Sequence, residues 1–420
     1  MLSIKSRFLE KMNNRPASFS SFTEDTEAIN DYPADKPSSR EKWICSLKQV
    51  LPLYIGFNVA CAMISLLSLM STQATNDPRS FPLYLLWQPW HHWDTGWYIT
   101  IAQRGYFSKE YTAFFPLYPL LMRGTMYLIH NPLLAGMFVA NIAMLLTFLV
   151  FYRLVSDDFG PERAQRAVLY MAVVPTGFFL AAAYSTSLSI SLALLCFYHM
   201  RQGKWWQAAT FGLLASFTRS AGVLLVFPFL YEYLRQREFN WRRIRVDIAS
   251  IVLIPIGIGI FGLYCYYRFG DFLAFSHVEM LWGRRLEVPW YGIVTSIDAI
   301  RVSPGILSYQ SLNNLLNLIP DLFFLLLGIL GFVGPWRFPR NCWSYALYAV
   351  IFWLFVNLVP TSGWNYPLAS LGRYLLESFP SFIFLAAWGK NRFFHFIYFS
   401  VCGPLFVYLL FHHLLGLPVI

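Results

Sequence analysis

Uncharged apolar runs recur from about residue 50 to the last residue of this 420-residue chain, and that feature fixes the solvent in which it folds. A helix that crosses about 30 Å of hydrocarbon needs roughly 20 apolar residues. Inside the bilayer every backbone N–H and C=O must find its partner within the protein, so such runs read as helices. Charged residues make up only 13% of the chain and hydrophobic ones 57%, against roughly 25% charged in soluble domains. An ordinary soluble protein, a disordered chain, a coiled coil and a disulfide scaffold are excluded. The fold class is an all-α polytopic membrane protein.

Eleven spans are expected, at residues 50 to 70, 133 to 154, 167 to 184, 185 to 200, 205 to 219, 220 to 234, 248 to 268, 314 to 335, 342 to 359, 373 to 389 and 393 to 415. Residues 1–48 are polar and mixed in charge, with no apolar stretch long enough for a signal peptide, and read as a disordered cytoplasmic tail ahead of a membrane domain at 49–420. With the tail inside and the spans alternating, 22 of the 32 Lys and Arg fall on the inner side. A miscounted helix would flip every later loop and mix the two sets, so the bias supports eleven. The net charge of +10 is then positive-inside topology, and nucleic acid is not a partner. The six cysteines are scattered with no C-x-x-C spacing, and no His/Cys/Asp/Glu cluster has metal-ligand spacing; neither a metal nor another cofactor is expected.

In this frame the inner loops are short and basic, whereas residues 71 to 132 and 269 to 313 form two long outer loops whose aromatic residues and isolated acids suit short helices along the interface. Chemistry belongs on that face. The first loop holds Trp87-Gln-Pro-Trp-His-His-Trp-Asp94-Thr-Gly-Trp-Tyr98, continues through Ile101, Ala102, Gly105 and Tyr106, and returns by Ala113-Phe-Phe-Pro-Leu-Tyr-Pro119. One acid stands among four tryptophans. An aromatic belt with Asp94 capping the next helix accounts for this; so does an acid made more basic by a dry aromatic surround and used to take a proton from a hydroxyl. The nearby His91 and His92 are more simply interfacial polar residues than catalysts or ligands.

Those residues resemble the PIG-V family of mannosyltransferases, through a W-D-x-x-[aromatic]-Y-like element at Trp93, Asp94, Trp97 and Tyr98, then I-A-x-x-G-Y, then A-F-x-P-L-x-P. Further likeness lies at Thr218-Arg219-Ser-Ala-Gly222, at Gly270-Asp271 through Phe275, His277 and Trp282, and at Ser370-Leu-Gly-Arg373-Tyr374 through Pro380. The resemblance implies a GT-C-type bundle carrying its site on the non-cytoplasmic face. It also implies a polyprenyl or dolichyl phosphate sugar as donor, most simply mannose, and a lipid-linked or glycan acceptor. Asp94 would then be the base of an inverting transfer, with Trp93, Trp97, Tyr98, Arg219, Asp271, His277, Arg284, Arg373 and Tyr374 binding substrate. A cation near an outer helix end is also explained by snorkelling to headgroups, and Asp271 by an N-cap.

A lipid flippase or transporter is the other reading. It should show paired interrupted spans with charges at mid-depth, whereas the charges here gather at helix ends and in the two long loops.

Overall fold

Helices account for nearly all regular structure in the computed structural model, which describes residues 38–72, 87–361 and 365–417. Contacts divide the chain at Glu41/Lys42, and the fold below is that of the second unit, Lys42–Ile420. In chain order the helices are α1 (Ser39–Thr72), α2 (Asp94–Arg104), α3 (Leu117–Met126), α4 (Pro132–Phe159), α5 (Pro161–Val173), α6 (Thr186–Arg201), α7 (Trp205–Thr218) and α8 (Val226–Gln236). After these come α9 (Leu253–Phe269), α10 (Tyr291–Arg301), α11 (Tyr309–Leu330), α12 (Trp343–Asn357), α13 (Phe379–Trp388) and α14 (Arg392–Leu414). The sole β pairing among the described residues is an isolated antiparallel bridge between Arg284 and Thr361. The protein is a multi-pass membrane protein.

Each of the eleven expected spans carries helix, but among the described residues five helical segments are long and apolar enough to cross a membrane: α1, α4, residues 246–269 ending in α9, α11 and α14. The other six are shorter. The longest of them, α6, has 16 residues, about 24 Å at 1.5 Å per residue. Local chemistry stops them. Pro175 follows the end of α5, α7 closes at Thr218 before Arg219, and the run expected as 373 to 389 breaks into the turns Leu371–Tyr374 and Leu375–Glu377 before α13. A proline cannot continue the hydrogen-bond ladder, and a charged side chain in the apolar layer needs a polar partner. The breaks lie where the polar residues described below collect.

The tail boundary also moves. Residues 1–37 lie outside the described residues, but 39–48, expected to be tail, form the first turns of α1. Ser38 and Glu41 make a reciprocal cap: Ser38 N–H donates to Glu41 Oε2 at 2.7 Å, and Glu41 N–H donates to Ser38 Oγ at 3.2 Å. An S-x-x-E box of this kind satisfies two of the orphan donors at a helix start.

The core is built on the α6–α7 hairpin, with α4 against α6, α9 against α7, and α5 between α4 and α13. Lipid tails are as apolar as leucine, so helices in a bilayer gain by close approach rather than by burial from water. At the α7/α9 crossing a methyl group on Gly257 would collide with Ser216 Oγ and the Leu213 carbonyl, and one on Gly212 would lie 2.7 Å from Ile254 Cγ1.

At the end of the hairpin where α6 terminates, Arg201 ties four elements together. Its guanidinium reaches Asp158 Oδ1 of α4 at 2.6 Å and Glu232 Oε1 of α8 at 3.2 Å. The other Asp158 oxygen accepts from the Tyr345 hydroxyl of α12 at 2.6 Å, and Arg235 meets Glu232 at 2.6 Å.

Candidate functional site

The two long loops fold as expected into short helices, and a cavity of about 690 Å³ opens between them and the bundle. Its polar lining includes Asp94 at the start of α2, Arg219 after α7, Glu279 and Arg284 from the second long loop, and Arg373, Tyr374 and Glu377 from the broken run before α13. Its apolar lining includes Val223, Ile258, Phe352, Phe355 and Val356. One pocket therefore offers both a charged floor and a hydrocarbon wall.

Tyr374 is the hub of the floor. The guanidinium carbons of Arg219, Arg284 and Arg373 lie 5.0, 5.2 and 5.1 Å from its ring centroid. Its hydroxyl accepts from Arg284 Nη2 at 2.8 Å and from Arg373 Nη2 at 3.2 Å. Each arginine also faces an acid: Arg373 Nη1 donates to Asp94 Oδ2, Arg219 Nη1 to Glu377 Oε1, and Arg284 Nη1 stands 3.7 Å from Glu279 Oε2. Three cations packed this closely repel one another, and the three acids balance them.

Arg373 is fixed from several sides. Its guanidinium carbon lies 5.7 and 5.3 Å from the ring centroids of Phe179 and Tyr184. The preceding peptide is clamped, Thr176 Oγ1 donating to the Gly372 carbonyl at 2.8 Å while Gly372 N–H donates to Asn317 Oδ1 at 3.4 Å. Thr176 sits at the break after α5 and Asn317 on α11, so the interruption of one helix and the polar face of another hold the same turn.

Both ends of the Asp94–Arg373 pair leave from left-handed backbone. Trp93 has φ +53° and Ser370 φ +67°, two of four non-glycine residues with positive φ among those described. Such strain persists only where the surroundings over-determine it. Ser370→Gly is therefore expected to raise the thermal midpoint in detergent. The gain is about 1 kcal/mol, being the left-handed penalty of about 1–2 kcal/mol less the entropy glycine adds to the unfolded chain, about 0.4–1 kcal/mol.

Of the residues singled out in sequence, Asp94, Tyr98, Arg219, His277, Arg284, Arg373 and Tyr374 line the cavity. Tyr98 is buried, its hydroxyl bonded to Ser185 Oγ at 2.7 Å. Three do not line it. Trp93 is half exposed, and what it contributes is the backbone turn before Asp94. Trp97 lies one layer behind, stacked on Phe114 at 5.6 Å and edge-on to Trp282 at 5.7 Å. Asp271 ties the two loops together: its Oδ2 meets Lys109 Nζ at 2.6 Å and His277 Nδ1 at 2.9 Å, and its Oδ1 accepts from Leu273 N–H at 3.0 Å. The Lys109 and His277 bonds hold the Asp271 carboxyl down at about 2. A depressed carboxyl contributes its stabilisation above the ordinary aspartate range and loses it as pH falls toward that lower value, so this tie is intact at neutral pH. Asp94 does not cap through its side chain; α2 begins at Asp94 itself.

Sequence reasoning missed Glu279 and Glu377. Glu377 had a signal, an acid in an apolar run four residues after Arg373, which demands a partner at that depth. Glu279 had none beyond its place between His277 and Trp282. No group of three or more His, Cys, Asp or Glu side chains suited to a metal occurs among the described residues.

Residues 114–264 match a family model described as dolichyl-phosphate-mannose-protein mannosyltransferase. GPI alpha-1,6-mannosyltransferase 2 of Homo sapiens is 29% identical over 202 residues, 43% of this chain and 40% of that protein. Over these residues the chain is similar to the GPI mannosyltransferase 2 proteins. GPI mannosyltransferase 2 of Drosophila pseudoobscura pseudoobscura is 30% identical over 193 residues, 39% of this chain and 41% of that relative. The chain thus spans about two fifths of the length of these curated relatives. In fold it is similar to the crystal structure of ArnT from Cupriavidus metallidurans bound to undecaprenyl phosphate, with a TM-score of 0.52 at 14% identity, covering 86% of this chain and 77% of that one. The architecture is that of the GT-C class.

Proposed function

We propose that this PIG-V-like chain transfers a hexose, mannose in the first instance, from a polyprenyl or dolichyl phosphate to a lipid-linked or glycan acceptor. The observation that carries the reading is the cluster of Arg219, Arg284 and Arg373 around Tyr374, with Asp94 bonded to one of them and an apolar wall beside them. In such a transfer the acceptor hydroxyl attacks the anomeric carbon and gives its proton to Asp94. The new C–O bond forms as the anomeric carbon–phosphate oxygen bond breaks with inversion, and the electron pair leaves with the phosphate. Guanidinium donors already in place stabilise that developing charge without reorganising. Arg373 engages Asp94 through Oδ2, so Oδ1 is the oxygen that takes the hydroxyl proton. The wall of Val223, Ile258, Phe352, Phe355 and Val356 suits an isoprenoid tail, in line with the undecaprenyl phosphate on the similarly folded ArnT.

The site is assigned to the non-cytoplasmic face because the cations concentrate on the other side. That face is the exterior of a bacterial plasma membrane or the lumen of a eukaryotic endoplasmic reticulum. The test is label transfer from radioactive mannosyl phosphoryl polyprenol to endogenous lipids in membranes from expressing cells. Incorporation should rise clearly above empty membranes. No rise with mannosyl, glucosyl or arabinosyl donors would discard the transferase in favour of a flippase.

A further inference from the structure

The three acids of the cavity are not equivalent. Asp94 and Glu377 each accept a hydrogen bond from an arginine, and Glu377 takes a second from Ser189 Oγ at 3.0 Å. Glu279 accepts no side-chain hydrogen bond among the described residues; its nearest cation, Arg284, stands off at 3.7 Å. Its side chain is also the most open of the three, 31% exposed against 28% for Asp94 and 3% for Glu377. A carboxylate has lone pairs for about four donors, and here they are left over, facing a cavity rather than bulk water.

Glu279 belongs to a single 3₁₀ segment, Val278–Trp282. In a 3₁₀ helix the side chains at i and i+3 eclipse, so Glu279 and Trp282 share a face, and both line the cavity. The indole is braced from behind, edge-on to Trp97 at 5.7 Å and to Phe114 at 6.2 Å. An open carboxylate beside a fixed indole suits a sugar ring: adjacent hydroxyls donate to the two carboxylate oxygens while the ring's C–H face lies on the aromatic. Burial already raises the Glu279 carboxyl above its ordinary range against the pull of Arg284, so hydroxyl donors would meet a desolvated group with unmet acceptor capacity.

We infer that Glu279 and Trp282 form the subsite for the sugar of the acceptor, a hexose presenting two adjacent hydroxyls. This rests on the transferase reading above. The donor's phosphate is assigned to the three arginines around Tyr374, whereas Glu279 meets one of them, Arg284, at 3.7 Å. Glu279 lies on the second long loop next to Met280, which lines the cavity yet is 60% exposed. An acceptor arriving from solvent or the lipid surface meets this edge first.

The experiment uses the purified full chain, mannosyl phosphoryl polyprenol as donor, and octyl α-mannoside with its single-deoxy analogues as acceptors. Glu279→Gln should raise the acceptor KM about tenfold or more without raising the donor KM, since a bond to a charged group is lost on the acceptor while removing the acid beside Arg284 leaves the phosphate-binding cations less balanced. On the parent, at least one deoxy analogue should lose about tenfold in kcat/KM, and on Glu279→Gln that same deletion should cost about twofold or less. Trp282→Phe keeps a ring for stacking and should fall between parent and Trp282→Ala in acceptor KM. An unchanged acceptor KM in a Glu279→Gln protein that melts like the parent would overturn the subsite, and so would a rise in donor KM of the same size. Failure of the parent to use this donor with any acceptor would overturn the transferase reading and the subsite with it. Activity on endogenous lipid but not on alkyl mannosides would overturn the subsite as a hexose site while leaving the transferase reading intact.

Discussion

Asp94→Asn should leave a folded protein that transfers sugar about 10²–10⁴ times more slowly, the range that general-base assistance supplies. Asparagine has nearly the same shape and its carbonyl oxygen can still accept from Arg373 Nη1, as Asp94 Oδ2 does, so the geometry of the pair survives while the proton acceptor is lost. The comparison is made on purified protein at matched amounts, with the thermal midpoint as the control for folding. A variant as fast as the parent would remove Asp94 from the chemistry. Arg373→Lys sharpens the result. Lysine keeps the charge but not the planar fork, and Arg373 uses separate arms for Asp94 and the Tyr374 hydroxyl. Losing one charge-assisted bond costs about 1.5–3 kcal/mol, so this variant should lie between the parent and Asp94→Asn.

The second large effect is on stability and lies at the other end of the α6–α7 hairpin. Arg201→Ala leaves Asp158, 12% exposed, with the Tyr345 hydroxyl as its partner and no cation among the described residues, while Glu232 keeps Arg235. Breaking a buried pair by removing one partner costs about 3–5 kcal/mol, because the remaining charge stays buried without compensation. The variant should accumulate poorly in membranes and melt well below the parent in detergent, while any molecules that fold keep an intact cavity. Adding Asp158→Asn should recover much of the loss, since the uncompensated charge is then gone. If the single variant melts like the parent, the network contributes nothing measurable.

How much of this was legible in the sequence depends on the range over which each feature is determined. The membrane class, the helical positions of all eleven runs and the two helix-bearing loops follow from local composition. Helix length does not, because the turn that carries Arg373 is held by Thr176, 196 positions from Gly372, and by Asn317, 55 positions from it. The start of α1 is encoded locally in the Ser38–Glu41 box, which the polar composition around it masks. Asp94 and Arg373 could be singled out by residue type and setting, an acid among tryptophans and a cation in an apolar run. That they meet could not, nor that Asp271 would join the loops instead of facing the cavity. Glu279 was invisible because its distinction is spatial: it faces Arg284 at 3.7 Å and accepts no side-chain hydrogen bond among the described residues.

Asp94 and Arg373 are 279 positions apart in the chain. During translation the first is made long before the second leaves the ribosome, with α4 through α12 in between. A stalled or truncated nascent chain can thus own the aspartate, the tryptophans and most of the hydrocarbon wall, yet it leaves the arginine cluster incomplete and Asp94 without its partner. Completion of the pair reports that nearly the whole bundle has been assembled in register, so under the proposed function unfinished chains cannot turn over lipid-linked sugar.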